Sequence, residues 1–95
     1  MIELTRFRLK DGADEAAFLQ ADRRVQTEFA YQQPGLARRT TARHDDGEWI
    51  VIDVWRSGDD ADECARRWDA DPIVAEFRAL IDESSVVNRR FDTLD

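Results

Sequence analysis

Leu36-Ala-Arg-Arg-Thr-Thr-Ala-Arg-His44, Asp45-Asp46-Gly47 and Glu48-Trp-Ile-Val-Ile-Asp-Val-Trp-Arg56 follow one another in mid-chain. Two β-rich runs around an Asp-Gly turn make a hairpin. In its second strand Ile50, Ile52 and Val54 point one way, and Trp49, Val51, Asp53 and Trp55 the other. Both faces are largely apolar, so both require cover.

Outward from the hairpin, the N-terminal side supplies a strand and a helix. Residues 2 to 9 are bounded by Lys10-Asp11-Gly12 and read as a strand. Ile2 and Leu4 share one face and Phe7 and Leu9 the other, which suits a central strand covered on both sides or one with a bulge near Thr5. Asp14 is placed as an N-cap with Glu15 in the first turn, and a helix should run to about Tyr31. Phe18, Ala21, Val25 and Phe29 form its apolar stripe, and Gln33-Pro34-Gly35 stops it. Asp22 lies close to that stripe and is either at its water-facing edge or paired with an arginine from the sheet; the edge is the expected place, because an unpaired buried carboxylate is costly.

On the C-terminal side Ser57 and Asp60 form a capping box for a second helix, with Ala61, Cys64, Ala65 and Trp68 at helical spacing. Asp71-Pro72 restarts the helix, with Ile73, Phe77, Leu80 and Ile81 on one side. A last extended run, Ser84 to Phe91, completes the order β-α-β-β-α-β. The expectation is one α+β domain over residues 1–95: a ferredoxin-like antiparallel four-stranded sheet with its helices on one face.

Composition limits the function classes. With 42% hydrophobic and 37% charged residues, the 95-residue chain can fill one core and still carry a hydrated surface. A net charge of −7 disfavours nucleic acid or an anionic bilayer as partner. No apolar run approaches the roughly 20 residues of a membrane span, and the start resembles no signal peptide, so the expected location is cytoplasmic. Cys64 is the only cysteine and His44 the only histidine, which leaves no Cys/His metal site within one subunit.

The bare face of such a sheet needs a partner. If Ile50, Ile52 and Val54 face the helices, Trp49, Val51 and Trp55 lie on the bare side. Burying two indoles of roughly 200 Å² each would contribute on the order of 10 kcal/mol before entropy is subtracted. A two-fold homodimer through the sheet faces is the expected assembly, a dimeric α/β barrel.

The element order, the Gln33-Pro34-Gly35-Leu36 lead-in to the second strand, Asp53-x-Trp55, and the following Ser57, Ala61 and Phe77 resemble the antibiotic biosynthesis monooxygenase-type dimeric α/β barrels. That resemblance covers nearly the whole chain. Members include cofactor-independent oxygenases of polyketide aromatics, haem-degrading enzymes and quinol oxygenases, and also proteins with no known reaction. Many carry a histidine in the second helix. Here the stretch is Cys64-Ala65-Arg66-Arg67-Trp68, so a mechanism that depends on that imidazole, histidine ligation of haem iron included, lacks its residue.

Within that resemblance, enzymatic chemistry would be monooxygenation or isomerisation of an aromatic or polyketide-like compound, with no cofactor. Asp53 would be the catalytic acid or base, and Trp49, Trp55 and Trp68 the wall that holds the ligand. Read from the residues alone, Asp53 is an ion-pair partner for an arginine of a neighbouring strand, such as Arg6, Arg8 or Arg39, or of a partner subunit, and the tryptophans are equally a core or dimer interface. His44 belongs to a solvated hairpin end, and Cys64 to the helical stripe as an inert thiol. Arg38, Arg39 and Arg43 are exposed strand arginines, or else a site for an anionic ligand. The alternative to an enzyme is a non-catalytic ligand-binding or structural homodimer. In that case the space between sheet and helices would be filled, and Asp53 would pair with arginine.

Overall fold

Three side-chain caps set the helix starts in the computed structural model, which describes residues 1–95. Asp14 Oδ1 accepts from the Ala16 amide at 3.4 Å, Ser57 Oγ from the Asp60 amide at 3.2 Å, and Asp71 Oδ1 from the amides of Ile73 and Val74 at 2.8 and 3.2 Å. Each satisfies donors that a helix start leaves without an internal partner. The elements in chain order are β1 (Ile2–Leu9), α1 (Glu15–Arg24), β2 (Leu36–Arg43), β3 (Trp49–Trp55), α2 (Gly58–Trp68), α3 (Pro72–Arg78) and β4 (Ile81–Phe91). Ile81, expected in the last helix, instead opens β4. The strands form one antiparallel sheet in the order β2-β3-β1-β4, a ferredoxin-like α+β fold.

Past Arg24 the first helix loosens into a π-helical turn over Val25–Phe29 and then a 3-10 turn over Ala30–Gln32. The wider turn buries Val25 and Phe29 together, and sets Tyr31 beside the outer strand β2. There the Tyr31 hydroxyl accepts from the Arg39 amide at 2.9 Å and donates to the Arg39 carbonyl at 3.2 Å.

The core lies between the sheet and the helices. Phe18 from α1 meets Trp49 of β3 at 4.8 Å between ring centres, Phe77 of α3 at 5.3 Å and Phe7 of β1 at 5.7 Å. These are distances at which aromatic edges and faces attract beyond plain burial.

This placement inverts the expected faces of β3. Trp49, Val51 and Trp55 are 5%, 6% and 4% exposed and point at the helices, whereas Ile50, Ile52 and Val54 lie on the uncovered side. Register sets this: Trp49 is paired with Phe7 of β1, and its ring packs on Phe18 of α1. On β1 the same parity puts Glu3, Thr5 and Phe7 inward and Ile2 and Leu4 outward, because Phe7 is the register partner of Trp49. The uncovered face therefore carries aliphatic side chains among arginines, with no tryptophan on it. The bulge in β1 pairing falls between Arg6 and Arg8, against β4.

Candidate active site

One row of the sheet concentrates charge. Arg39 of β2 is paired in register with Asp53 of β3, Asp53 with Glu3 of β1, and Glu3 with Arg90 of β4. All four side chains line the space on the helix side of the sheet. Across the row the signs run plus, minus, minus, plus, so two carboxylates sit side by side between two guanidinium groups.

The outer partners are committed. Glu3 accepts from Arg90 Nε at 3.1 Å and from the Trp55 indole N–H at 3.2 Å. Arg39 is buried and donates through Nη2 to Asp22 at 2.8 Å and through Nη1 to Gln26 at 3.2 Å. Asp22 is thus 7% exposed and ion-paired, not at a water-facing edge; Arg39 and the Thr41 hydroxyl at 3.1 Å supply the partners that make its burial tolerable. Arg43, by contrast, stays exposed in a pair with Glu15.

Asp53 is left over. Its Oδ1 is buried without a hydrogen-bond partner, and Arg39 Nε comes only to 4.0 Å. Burial pushes its pKa up to about 6, against the pull of Arg39 and with a further push from the charges of Glu3 and Asp22. A carboxylate held this way takes up a proton near neutrality, the range in which general acid–base exchange is most effective.

Asp53 faces a cavity of about 440 Å³, within the usual range for small-molecule sites. Trp55, Phe29, Cys64, Trp68 and Phe77 form its apolar wall. Trp68 stands edge-on between Phe29 and Phe77, at 5.7 and 5.9 Å, and offers a flat surface. The exposed members of the lining belong to β4 (Glu83, Val86, Asn88, Arg90) and to α2 and its C-cap (Ala65, Asp69), so the mouth opens between β4 and α2.

Of the side chains expected to hold a ligand, the structure brings Trp55 and Trp68 together with Asp53 at the cavity. Trp49 is elsewhere, packed on Phe18 in the core with Arg43 over its ring. Cys64 is not sealed in the core; it is half-buried and lines the cavity, where burial and then the charges of Asp53 and Glu3 push its pKa up to about 11. At neutral pH it is a neutral thiol. His44 is exposed at the hairpin end, where its Nδ1 accepts from the Asp46 amide at 3.1 Å. Glu3 and Arg90 are members of the site that sequence reasoning does not single out. The available signal is parity: Glu3 is four residues before Phe7, on the same face of β1.

A β-α-β-β-α-β sheet with a cavity between its inner face and its helices has the fold of the antibiotic biosynthesis monooxygenase-type ferredoxin-like proteins. SnoaB, a cofactor-independent oxygenase from Streptomyces nogalater, matches with a TM-score of 0.80 over 99% of this chain and 92% of its own, at 23% identity. A structure described as an antibiotic biosynthesis monooxygenase matches at 0.76 over the whole of both chains, at 15% identity. Rv0793 from Mycobacterium tuberculosis matches at 0.70, covering 99% of this chain and 94% of its own, at 21% identity. At these identities the shared property is the fold. No protein-family model and no curated protein sequence matches the chain.

Proposed function

We propose that this chain is a homodimeric, cofactor-independent monooxygenase of a phenolic or polyketide-like aromatic compound, with Asp53 as the proton acceptor. The observation that carries the reading is Asp53 Oδ1, buried, without a hydrogen bond, and facing an aromatic-walled cavity. A purely structural module would have filled that space and paired the carboxylate. The fold shared with SnoaB supports the same reaction class.

In this reading the substrate lies flat against Trp68, with Trp55 at its edge, and Asp53 takes a proton from an acidic methylene or phenol. The carbanion or phenolate then passes one electron to dioxygen, and the two radicals join to form a C–O bond. Protonation gives a hydroperoxide, and loss of water leaves a carbonyl. For a methylene the balance is one methylene carbon and one dioxygen giving one carbonyl and one water, with the substrate as reductant. Asp53 returns its first proton to the peroxide oxygen, then takes the second hydrogen of the same carbon and passes it to the hydroxide that leaves as the O–O bond breaks. Without dioxygen, return of the proton to another carbon is an isomerisation.

Face-to-face pairing of two copies through Ile2, Leu4, Ile50, Ile52 and Val54 would cover the open face of the sheet. Cys64 is free and unpaired, as suits a reducing compartment such as the cytoplasm. No helix is long and apolar enough to cross a membrane. The test is dioxygen uptake with anthrone as probe, followed by electrode and by formation of anthraquinone. Uptake that depends on protein and drops at least 100-fold in Asp53→Asn supports the proposal. Uptake unchanged in the variant would remove Asp53 from the chemistry.

A further inference from the structure

The cavity contains three arginines, and each is already matched by carboxylates. Arg39 holds Asp22 at 2.8 Å. Arg90 holds Glu3 at 3.1 Å and Asp62 at 2.6 Å. Arg78, at the end of α3, holds Asp69 at 2.8 Å and Glu83 at 2.9 Å. The lining carboxylates are four, Glu3, Asp53, Asp69 and Glu83, and only Asp53 lacks a hydrogen bond. A ligand entering this space meets no uncommitted positive charge and one carboxylate that has no hydrogen bond. The protein's overall charge of −7 acts in the same direction.

From this arrangement we infer that the site selects an uncharged aromatic compound and rejects one bearing a carboxylate or phosphate. The inference rests on the reading of this cavity as the substrate site and names the class of substrate it takes. An anionic group beside Asp53 would place like charges together in a half-dry space, and no arginine could turn to it without abandoning a carboxylate. A neutral phenol can instead donate its O–H to the free Oδ1, supplying the hydrogen bond that Asp53 lacks. If the acyclic or polycyclic precursor of the substrate carries an acid group, the step before this one must remove or mask it: a decarboxylation, an esterification or a lactone closure.

The inference is tested by binding, independently of turnover. The full chain is titrated with 2-naphthol and, separately, with 2-naphthoate at pH 7.5, following quenching of tryptophan fluorescence, since Trp55 and Trp68 line the cavity. 2-Naphthol is expected to bind at least about tenfold more tightly. In Asp53→Asn the gap should shrink by a rise in naphthoate affinity. In Glu83→Gln, a change at an exposed position of the lining that frees Arg78 Nε, the gap should shrink in the same way, by a rise in naphthoate affinity. Equal or tighter binding of naphthoate by the unaltered protein overturns the inference, as does failure of both probes to bind at millimolar concentration. Anion binding together with dioxygen uptake would leave the oxygenase reading standing and the selectivity refuted. A clear neutral preference without uptake by any phenol would do the reverse.

Discussion

Asp53 links the chemistry of the cavity to the stability of the fold. In an unfolded chain its carboxyl ionises near pH 3.9, and in the folded protein near 6, so the folded state binds this proton more tightly. The stability it contributes is therefore complete below about pH 4 and is lost as pH rises through 6. The loss amounts to about 3 kcal/mol at neutrality, with burial as the main cause. Asp53→Asn should then be as stable as the parent at pH 7.5, or more so by up to about 3 kcal/mol, and should lack the fall in stability between pH 4 and 6. Urea unfolding at several pH values measures both effects. An Asp53 that was instead a firm partner of Arg39 would make the same change destabilising. Because the base must be ionised to accept a proton, kcat/KM should rise with pH through a limb near 6. Asp22→Asn takes the buried Arg39 from its partner and should cost up to about 3 kcal/mol, less if Asp53 swings in as substitute. In that event the limb near 6 moves down. Asp53 stands out in the sequence because a carboxylate between two tryptophans on an apolar strand is conspicuous. Its state does not, since whether Arg39 serves Asp22 or Asp53 is decided by how α1 lies against β2, which no local pattern announces.

At the scale of elements, the local chemistry was legible. The hairpin, the three N-caps and the break at Asp71-Pro72 are all settled by neighbours within four residues. Asp71 alone accepts two amide hydrogens, so Asp71→Ala should cost about 1 kcal/mol and loosen α3, measurable by thermal unfolding. Gly35 has φ +84, and a Cβ there would collide with the Asp60 carboxylate that Ser57 and Arg56 hold. Gly35→Ala should therefore destabilise by more than the roughly 1 kcal/mol that glycine-to-alanine changes ordinarily move, and displace the start of α2. The facing of β3 was not legible. Alternation tells which residues share a face, but with both faces apolar it does not tell which face meets the helices. Register with Phe7 decides that, and register is a property of the assembled sheet.

For the molecule as a whole, element order was enough to reach the ferredoxin-like fold, because six elements in that sequence leave few ways to cover one sheet face. In the proposed dimer the second copy covers not the tryptophans but Ile2, Leu4, Ile50, Ile52 and Val54, with Val87 and Phe91 exposed nearby on β4. Sedimentation equilibrium at micromolar concentration should give the mass of two chains, and Ile52→Glu the mass of one, with helix content retained. A monomeric parent protein would refute the pairing and leave the cavity to act alone.

Covering a face does nothing for the rims of a sheet, and here a single phenol blocks the middle of one rim. The Tyr31 hydroxyl occupies both the amide and the carbonyl of Arg39 on β2, the groups to which an added strand from another chain would bond. A stray strand must displace it before it can zip along β2. The tail of a loosened helix thus acts as a stopper against end-to-end growth, and a chain with phenylalanine at that position would be the one to watch for fibres on storage.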